Sequence, residues 1–164
     1  MIIDTLTTFA YNTDVALNVG GPTTFGDQID LEGLGLEEGA TGEQRDIGIH
    51  GHALYYRVMV GDEAFESATA TSNVTFTLVT ADNAALTTNP VVVDTFTVAV
   101  DNAGANYPVG TKLREVVLPS FAYKRYIGLR RTVATQNLAE GSVSAFLQLD
   151  PKGWRSYPQA DIAD

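Results

Sequence analysis

The chain has 164 residues and no cysteine, with 20 acidic residues against 10 basic ones for a net charge of −10. That length suits a single domain, residues 1–164, able to bury roughly 70% of its unfolded surface, and the missing cysteines exclude disulfides, thiolate metal sites and cysteine nucleophiles. So acidic a chain repels phosphate backbones, which argues against nucleic acid as a direct partner, and no stretch approaches the roughly 20 apolar residues that span a bilayer.

Threonine, valine, alanine and glycine are abundant and lysine is rare, a composition that favours strands over helices. The absence of cysteine fits a protein made in a reducing cytosol. The opening MIIDTLTTF carries no basic segment and no long apolar run, so no signal peptide is expected. Charge is unevenly placed. Residues 1–111 hold two basic residues, Arg45 and Arg57, against fifteen acidic ones. Residues 112–155 hold eight basic and three acidic residues.

In chain order, residues 1–11 mix Ile2, Ile3, Leu6 and Phe9 with polar residues, which suits a first strand or an apolar arm that packs elsewhere. Residues 15–19 form a short strand that Gly20, Gly21 and Pro22 are expected to break. Gln28 to Leu31 is another short strand. Residues 32–48 are rich in glycine and glutamate with little periodicity. At about seventeen residues they exceed the usual connection, which makes Glu37, Glu38 and Arg45 candidate contacts on an exposed loop. Leu54 to Val60 alternates as a half-buried strand does, and so does Asn73 to Thr80. Asp82 and Asn83 turn the chain between that strand and the next. Val91 to Val100 is almost continuously apolar or β-branched, as expected of a strand covered on both faces, with Asp94 marking an interruption. Leu113 to Leu118 is a further strand, closed by Pro119. Residues 151–164 form a polar tail containing Trp154, Arg155 and Tyr157, residue types favoured at interface hot spots.

The strongest strand signal lies between Tyr123 and Asp150. Ile127, Leu129 and Val133 share one face; Val143, Ala145, Leu147 and Leu149 share another. The polar loop from Ala134 to Gly141 predicts that the two strands form a hairpin. Its charges do not form one patch. Lys124 and Arg130 share the polar parity, whereas Arg125 and Arg131 fall at the ends of the apolar one, where arginines snorkel past a core edge. The alternative is that some of these charges pair with acidic groups on a neighbouring subunit, and Arg130 is the candidate contact among them. About eight short strands with turn signals between them, and no convincing helix, predict an all-β fold. The expected form is an antiparallel β-sandwich, jelly-roll-like, with an extended N-terminal arm and a C-terminal tail.

Chemistry is thinly represented. His50 and His52 would point the same way on an extended chain, yet a zinc site needs further ligands, for which Asp46 or Glu43 are the nearest choices. Loop histidines beside glycines are the simpler reading. No nucleophile elbow, metalloprotease helix or phosphate-binding loop is present. No enzyme activity, cofactor or metal is therefore expected. Tyr55, Tyr123, Tyr126, Trp154 and Tyr157 are the aromatic residues that a carbohydrate- or receptor-binding sandwich would use for stacking. A β-sandwich hydrolase would instead need two carboxylates converging in a pocket.

Several segments in order resemble the capsid cement, or decoration, proteins of tailed bacteriophages, of the type on the Bordetella phage head. They are Leu6-Thr7-Thr8-Phe9, Arg45 to Ile49 leading into Leu54-Tyr55-Tyr56, Val74 to Leu78 with Thr80-Ala81-Asp82, the turn Pro108 to Thr111, and Lys124 to Leu129 followed by Gly141 to Phe146. The resemblance implies a jelly-roll protein, made in the bacterial host cytoplasm, on the outer surface of the virion head. It implies the major capsid protein as partner and self-association as a dimer or trimer. The contacts expected on this reading are Ile2, Ile3, Leu6, Phe9, Glu37, Glu38, Arg45, Arg130, Trp154, Arg155 and Tyr157.

Overall fold

A computed structural model describes residues 7–15, 20–31, 54–67, 71–100, 107–119, 123–134 and 138–149. These residues form ten strands: β1 (Thr8–Asp14), β2 (Gly20–Asp30), β3 (Leu54–Val60), β4 (Glu66–Ser67), β5 (Ser72–Ala81), β6 (Val91–Val100), β7 (Lys112–Val117), β8 (Tyr126–Ala134), β9 (Leu138–Glu140) and β10 (Ser142–Leu149). The fold is all-β, as the alternation of the sequence predicts.

Eight of the strands make two four-stranded sheets, ordered β1-β10-β3-β7 and β2-β8-β5-β6. Leaving aside the short β4 and β9, the first long strand pairs with the last, the second with the seventh, the third with the sixth and the fourth with the fifth, all antiparallel. This nested order arises when one antiparallel ribbon, bent at the β5–β6 turn, is rolled so that successive strands of each of its two arms fall in alternate sheets. It is the jelly roll. β4 and β9 form a separate two-stranded patch.

The core lies between the sheets. Phe76 of β5 anchors it, meeting Phe25 of β2 edge-on at 5.7 Å and stacking on Phe96 of β6 at 5.4 Å. On the opposite sheet, Phe9 of β1 meets Tyr56 of β3 edge-on at 6.1 Å. Val58, Leu78, Ile127, Leu129, Val143 and Ala145 fill the space between and are fully buried. Each of the valines, leucines and isoleucine among them contributes about 1.5–3 kcal/mol relative to leaving it in water.

Four sequence expectations are corrected. β8 and β10 are strands but not a hairpin: β8 pairs with β2 and β5, while β10 pairs with β1 and β3 in the other sheet. Alternation marks a half-buried strand whichever neighbour it has, so it could not reveal the crossing. Gly20, Gly21 and Pro22 lie inside β2 rather than ending a strand. β2 is an edge strand, where proline's missing N–H breaks no ladder. β6 is not covered on both faces. It is the edge of its sheet, with Val91 and Val92 exposed and Thr95, Thr97 and Ala99 facing solvent. The interruption at Asp94 is real: Leu78 faces Asp94 but Val79 faces Val92, which leaves Val93 as the extra residue of a bulge. Finally, residues 8–11 are not an arm but part of β1. Residues 1–6, most of the expected 15–19 strand, the 32–48 loop and the 151–164 tail lie outside the described residues.

The polar loop after β3 conceals a core residue. Phe65 is fully buried and bridges to Tyr107. Gly141, with φ +146°, lies against it: a Cβ at Gly141 would strike the Phe65 ring. The glycine that resembled a hairpin turn thus serves a tertiary contact. Gly141→Ala is expected to destabilise the fold by about 2–4 kcal/mol, from backbone strain and overpacking together, as read by urea unfolding.

Tyr56 carries a hydroxyl that is buried and has no hydrogen-bond partner among the described residues. Burial pushes its ionisation well above the ordinary tyrosine value, Asp94 adds to the rise and Arg114 opposes it. The folded state therefore holds the neutral form more firmly than the unfolded chain does. That advantage is complete below the unfolded value of about 10 and is lost as pH rises beyond it. Tyr56→Phe is expected to gain about 1 kcal/mol at neutral pH, by removing an unpaired buried hydroxyl. It should also flatten the alkaline decline in melting temperature.

Candidate interaction surfaces

The outer face of the β2-β8-β5-β6 sheet is built in cross-strand rows. One row runs Thr132–Thr75–Thr97, and the next runs Thr24–Arg130–Thr77–Thr95. Directly opposite residues on antiparallel strands point to the same side, so these hydroxyls form a flat polar surface. Two pairs are joined: Thr75 and Thr97 at 2.8 Å, Thr77 and Thr95 at 3.2 Å.

Arg130 is the cation within these rows. Its Nε is buried without a hydrogen-bond partner, and Arg130 forms no ion pair among the described residues. Neighbouring basic residues are engaged. Lys124 meets Asp82 at 3.3 Å, and Arg125 meets Asp30 at 3.0 Å while lying over the Tyr126 ring. Arg131 is half-buried on the inward parity; burial lowers its guanidinium from the ordinary value and the Asp14 charge opposes that. The separation of Arg130 from Arg131 by parity is therefore observed, whereas Lys124 and Arg125 precede β8, and Arg125 turns to Asp30 and Tyr126 instead of following the apolar parity.

One end of this face is covered by the β5–β6 loop, residues 82–90. The Asn83 side chain accepts the backbone N–H groups of Thr87 and Thr88, each at 2.9 Å, so the Asp82-Asn83 turn forms as expected. Leu86, at φ 57°, is pressed into a small second core with Val79, Ala81 and Tyr126. Gly128 makes room for it: a Cβ there would sit 2.9 Å from Leu86 Cδ1. The Thr24 hydroxyl donates to the Ala85 carbonyl at 3.1 Å, tying the loop to β2. Asp82 lies below the ordinary carboxylate range, chiefly through the Asn89 side-chain hydrogen bond and then through Lys124.

The four sheet edges differ in how they resist pairing with another chain. β1 is irregular at two places, with Asn12 at φ 44°. β2 has Pro22 and two register shifts. β7 is lined with Lys112, Arg114 and Glu115. β6 has its bulge and its one charge, Asp94, in its first half. Asp94 turns inward and takes a two-pronged ion pair from Arg114 of β7, with contacts of 2.7 and 3.0 Å, clasping the two sheets together. Arg114 also lies 6.0 Å from the centre of the Phe96 ring. The second half, Thr95–Val100, carries no charge and no break. Bulges, prolines and charges are the usual safeguards of an open edge. The low charge of residues 91–100 was the signal for this edge, although it equally suits a buried strand.

Of the contact residues expected from sequence, Arg130 lies on the outer face described above. Phe9 is corrected: it is wholly buried between the sheets and is not a surface contact. Ile2, Ile3, Leu6, Glu37, Glu38, Arg45, Trp154, Arg155 and Tyr157 lie outside the described residues, as do His50 and His52. Tyr123 is no stacking platform, since it is buried with its hydroxyl donating to the Pro119 carbonyl at 2.6 Å. Among the described residues no cluster of histidines and carboxylates could hold a metal ion. Nor is any helix among them long and apolar enough to cross a membrane.

A jelly-roll sandwich with a polar sheet face and one weakly guarded edge is a scaffold that presents surfaces. The model of the Bbp16 family matches residues 22–147, from β2 to β10, and the chain belongs to the Bbp16 family. That name suggests a Bordetella phage protein. No curated protein matches the chain.

The clasp between β6 and β7 has a measurable weight. A double-mutant cycle of Asp94→Ala and Arg114→Ala is expected to return a coupling of about 1 kcal/mol, because the pair is two-pronged yet Arg114 stays partly in water. The coupling should fall with added salt.

Proposed function

We propose that this chain is a structural protein of the virion: a cement protein that binds the outside of an icosahedral phage head, bridges major capsid subunits and stabilises the shell. Family membership across all of the long strands but β1 carries this reading. The fold supports it physically. A rigid sandwich keeps its core intact while sheet faces, edges and loops meet partners. Arg130, a cation without a counter-charge among the described residues, offers a carboxylate of the major capsid protein a desolvated partner within a hydrogen-bonding field of threonines. On this reading the protein acts without chemistry or cofactor, associates with itself as a dimer or trimer, and resides on the outer capsid surface.

Stabilisation follows from mass action. A protein that binds only the assembled lattice stabilises it by roughly 2.7 kcal/mol per site at a free concentration 100 times the dissociation constant. Many sites per shell then act together against internal pressure. The test is to compare heads assembled with and without the protein for survival of heat and osmotic shock, and to measure co-sedimentation of added protein. Complete heads should survive longer, and Arg130→Ala should weaken co-sedimentation while leaving the melting temperature of the free protein unchanged. Equal survival of bare heads would sink the reading.

A further inference from the structure

We infer that two copies of this chain join edge to edge through the second half of β6, forming one continuous eight-stranded sheet across a two-fold axis at Thr97. The inference rests on the structural role proposed above and names the surface through which copies associate.

The comparison of edges carries it. An open edge presents a row of backbone donors and acceptors that another strand can satisfy. β1, β2 and β7 each carry breaks, a proline or charges. Thr95–Val100 has none of these, and its pairing with β5 is in regular register. Among the described residues β5 is its sole strand neighbour. In a chain of net charge −10, copies approach with least repulsion where the surface is uncharged.

Self-pairing also fits residue by residue. A two-fold axis through Thr97 sets Thr97 opposite Thr97 of the second copy, Thr95 opposite Ala99, Phe96 opposite Val98 and Asp94 opposite Val100. Every pair keeps its side of the sheet, because opposite residues share parity. No like charges meet, and Asp94 remains held by Arg114 within its own copy. On the outer face, the row Thr132–Thr75–Thr97 runs on into its mirror sequence in the second copy. A hydroxyl both donates and accepts, so such a row is complementary to itself. The contact is isologous and closes at two copies, which prevents the edge from templating a fibre.

The test uses the full chain in sedimentation equilibrium. The wild type should show a concentration-dependent dimer. Thr97→Lys sets two like charges face to face at the axis and should weaken the dimer roughly tenfold or more. Thr97→Glu should do the same, and an equimolar mixture of the two variants should recover a dimer. Thr97→Ser, which keeps the hydroxyl, should dimerise as the wild type does. Position 97 is exposed, so unchanged circular dichroism and melting of the monomer should show that the variants fold. A wild type that stays monomeric, a trimer, or a Thr97→Lys variant as dimeric as the wild type would each overturn the inference. Because no heads are present, this result is decided separately from the head-binding test.

Discussion

The roll closes on β10. This strand arrives last in the described chain, yet it must lie between β1, the first, and β3. Its inward residues Val143, Ala145 and Leu147 are buried in the shared core. Its other parity is covered too, and there the hydroxyls of Ser142 and Ser144 have to be satisfied. The Ser142 hydroxyl donates to Asp62 at 2.7 Å and accepts the Glu63 N–H at 2.9 Å. The Ser144 hydroxyl donates to the Asn12 side chain and accepts the Asn12 N–H, each at 3.0 Å, holding that residue in its left-handed conformation. A buried hydroxyl left unpaired would cost about 1–3 kcal/mol. The strand that completes the fold is thus pinned to both β1 and the β3–β4 loop.

The nested pairing also decides which strands stand at the sheet edges among the described residues. A sandwich of two four-stranded sheets leaves four outer strands, here β1 and β7 in one sheet, β2 and β6 in the other. Asp94 and Arg114 clasp β6 to β7 across the gap between sheets. The clasp uses the one charge of β6 inwardly, and so leaves the outer rim of that strand uncharged. A structural ion pair and an available surface are two sides of one arrangement.

The acidic excess is organised by the same geometry. Ion pairs set Lys124 and Arg125 against Asp82 and Asp30 at one end of β8, and Lys112 and Arg57 against Glu115 on the other sheet. Arg131 reaches the field of Asp14. Arg130 is set apart because its parity turns it to the outer face, where the neighbouring strands offer threonines.

Much of the architecture was legible in the residues. Period-two alternation located β3, β5, β8 and β10 closely, since a half-buried strand needs only its own apolar and polar faces to be recognised, and a β-branched run located β6. Asp82-Asn83 announced its turn because the asparagine makes its hydrogen bonds within a few residues. The parity argument separated Arg130 from Arg131 correctly for the same local reason. Phe9 and Gly141 were misjudged, and Phe65 gave no signal, because their roles depend on chain segments far away. Phe9 packs edge-on against Tyr56 of β3, and Gly141 accommodates a ring from the loop after β3. The uncharged run at 91–100 suited a buried strand and an open edge equally well. By itself, then, the sequence determined that the chain forms short antiparallel strands, and which side of most of them is apolar. Only the tertiary structure decided that β8 and β10 part into opposite sheets and, among the described residues, that β6 stands at an edge and Arg130 has no counter-charge. Alternation encodes the two faces of a strand, whereas its neighbours are chosen by the packing of the whole roll.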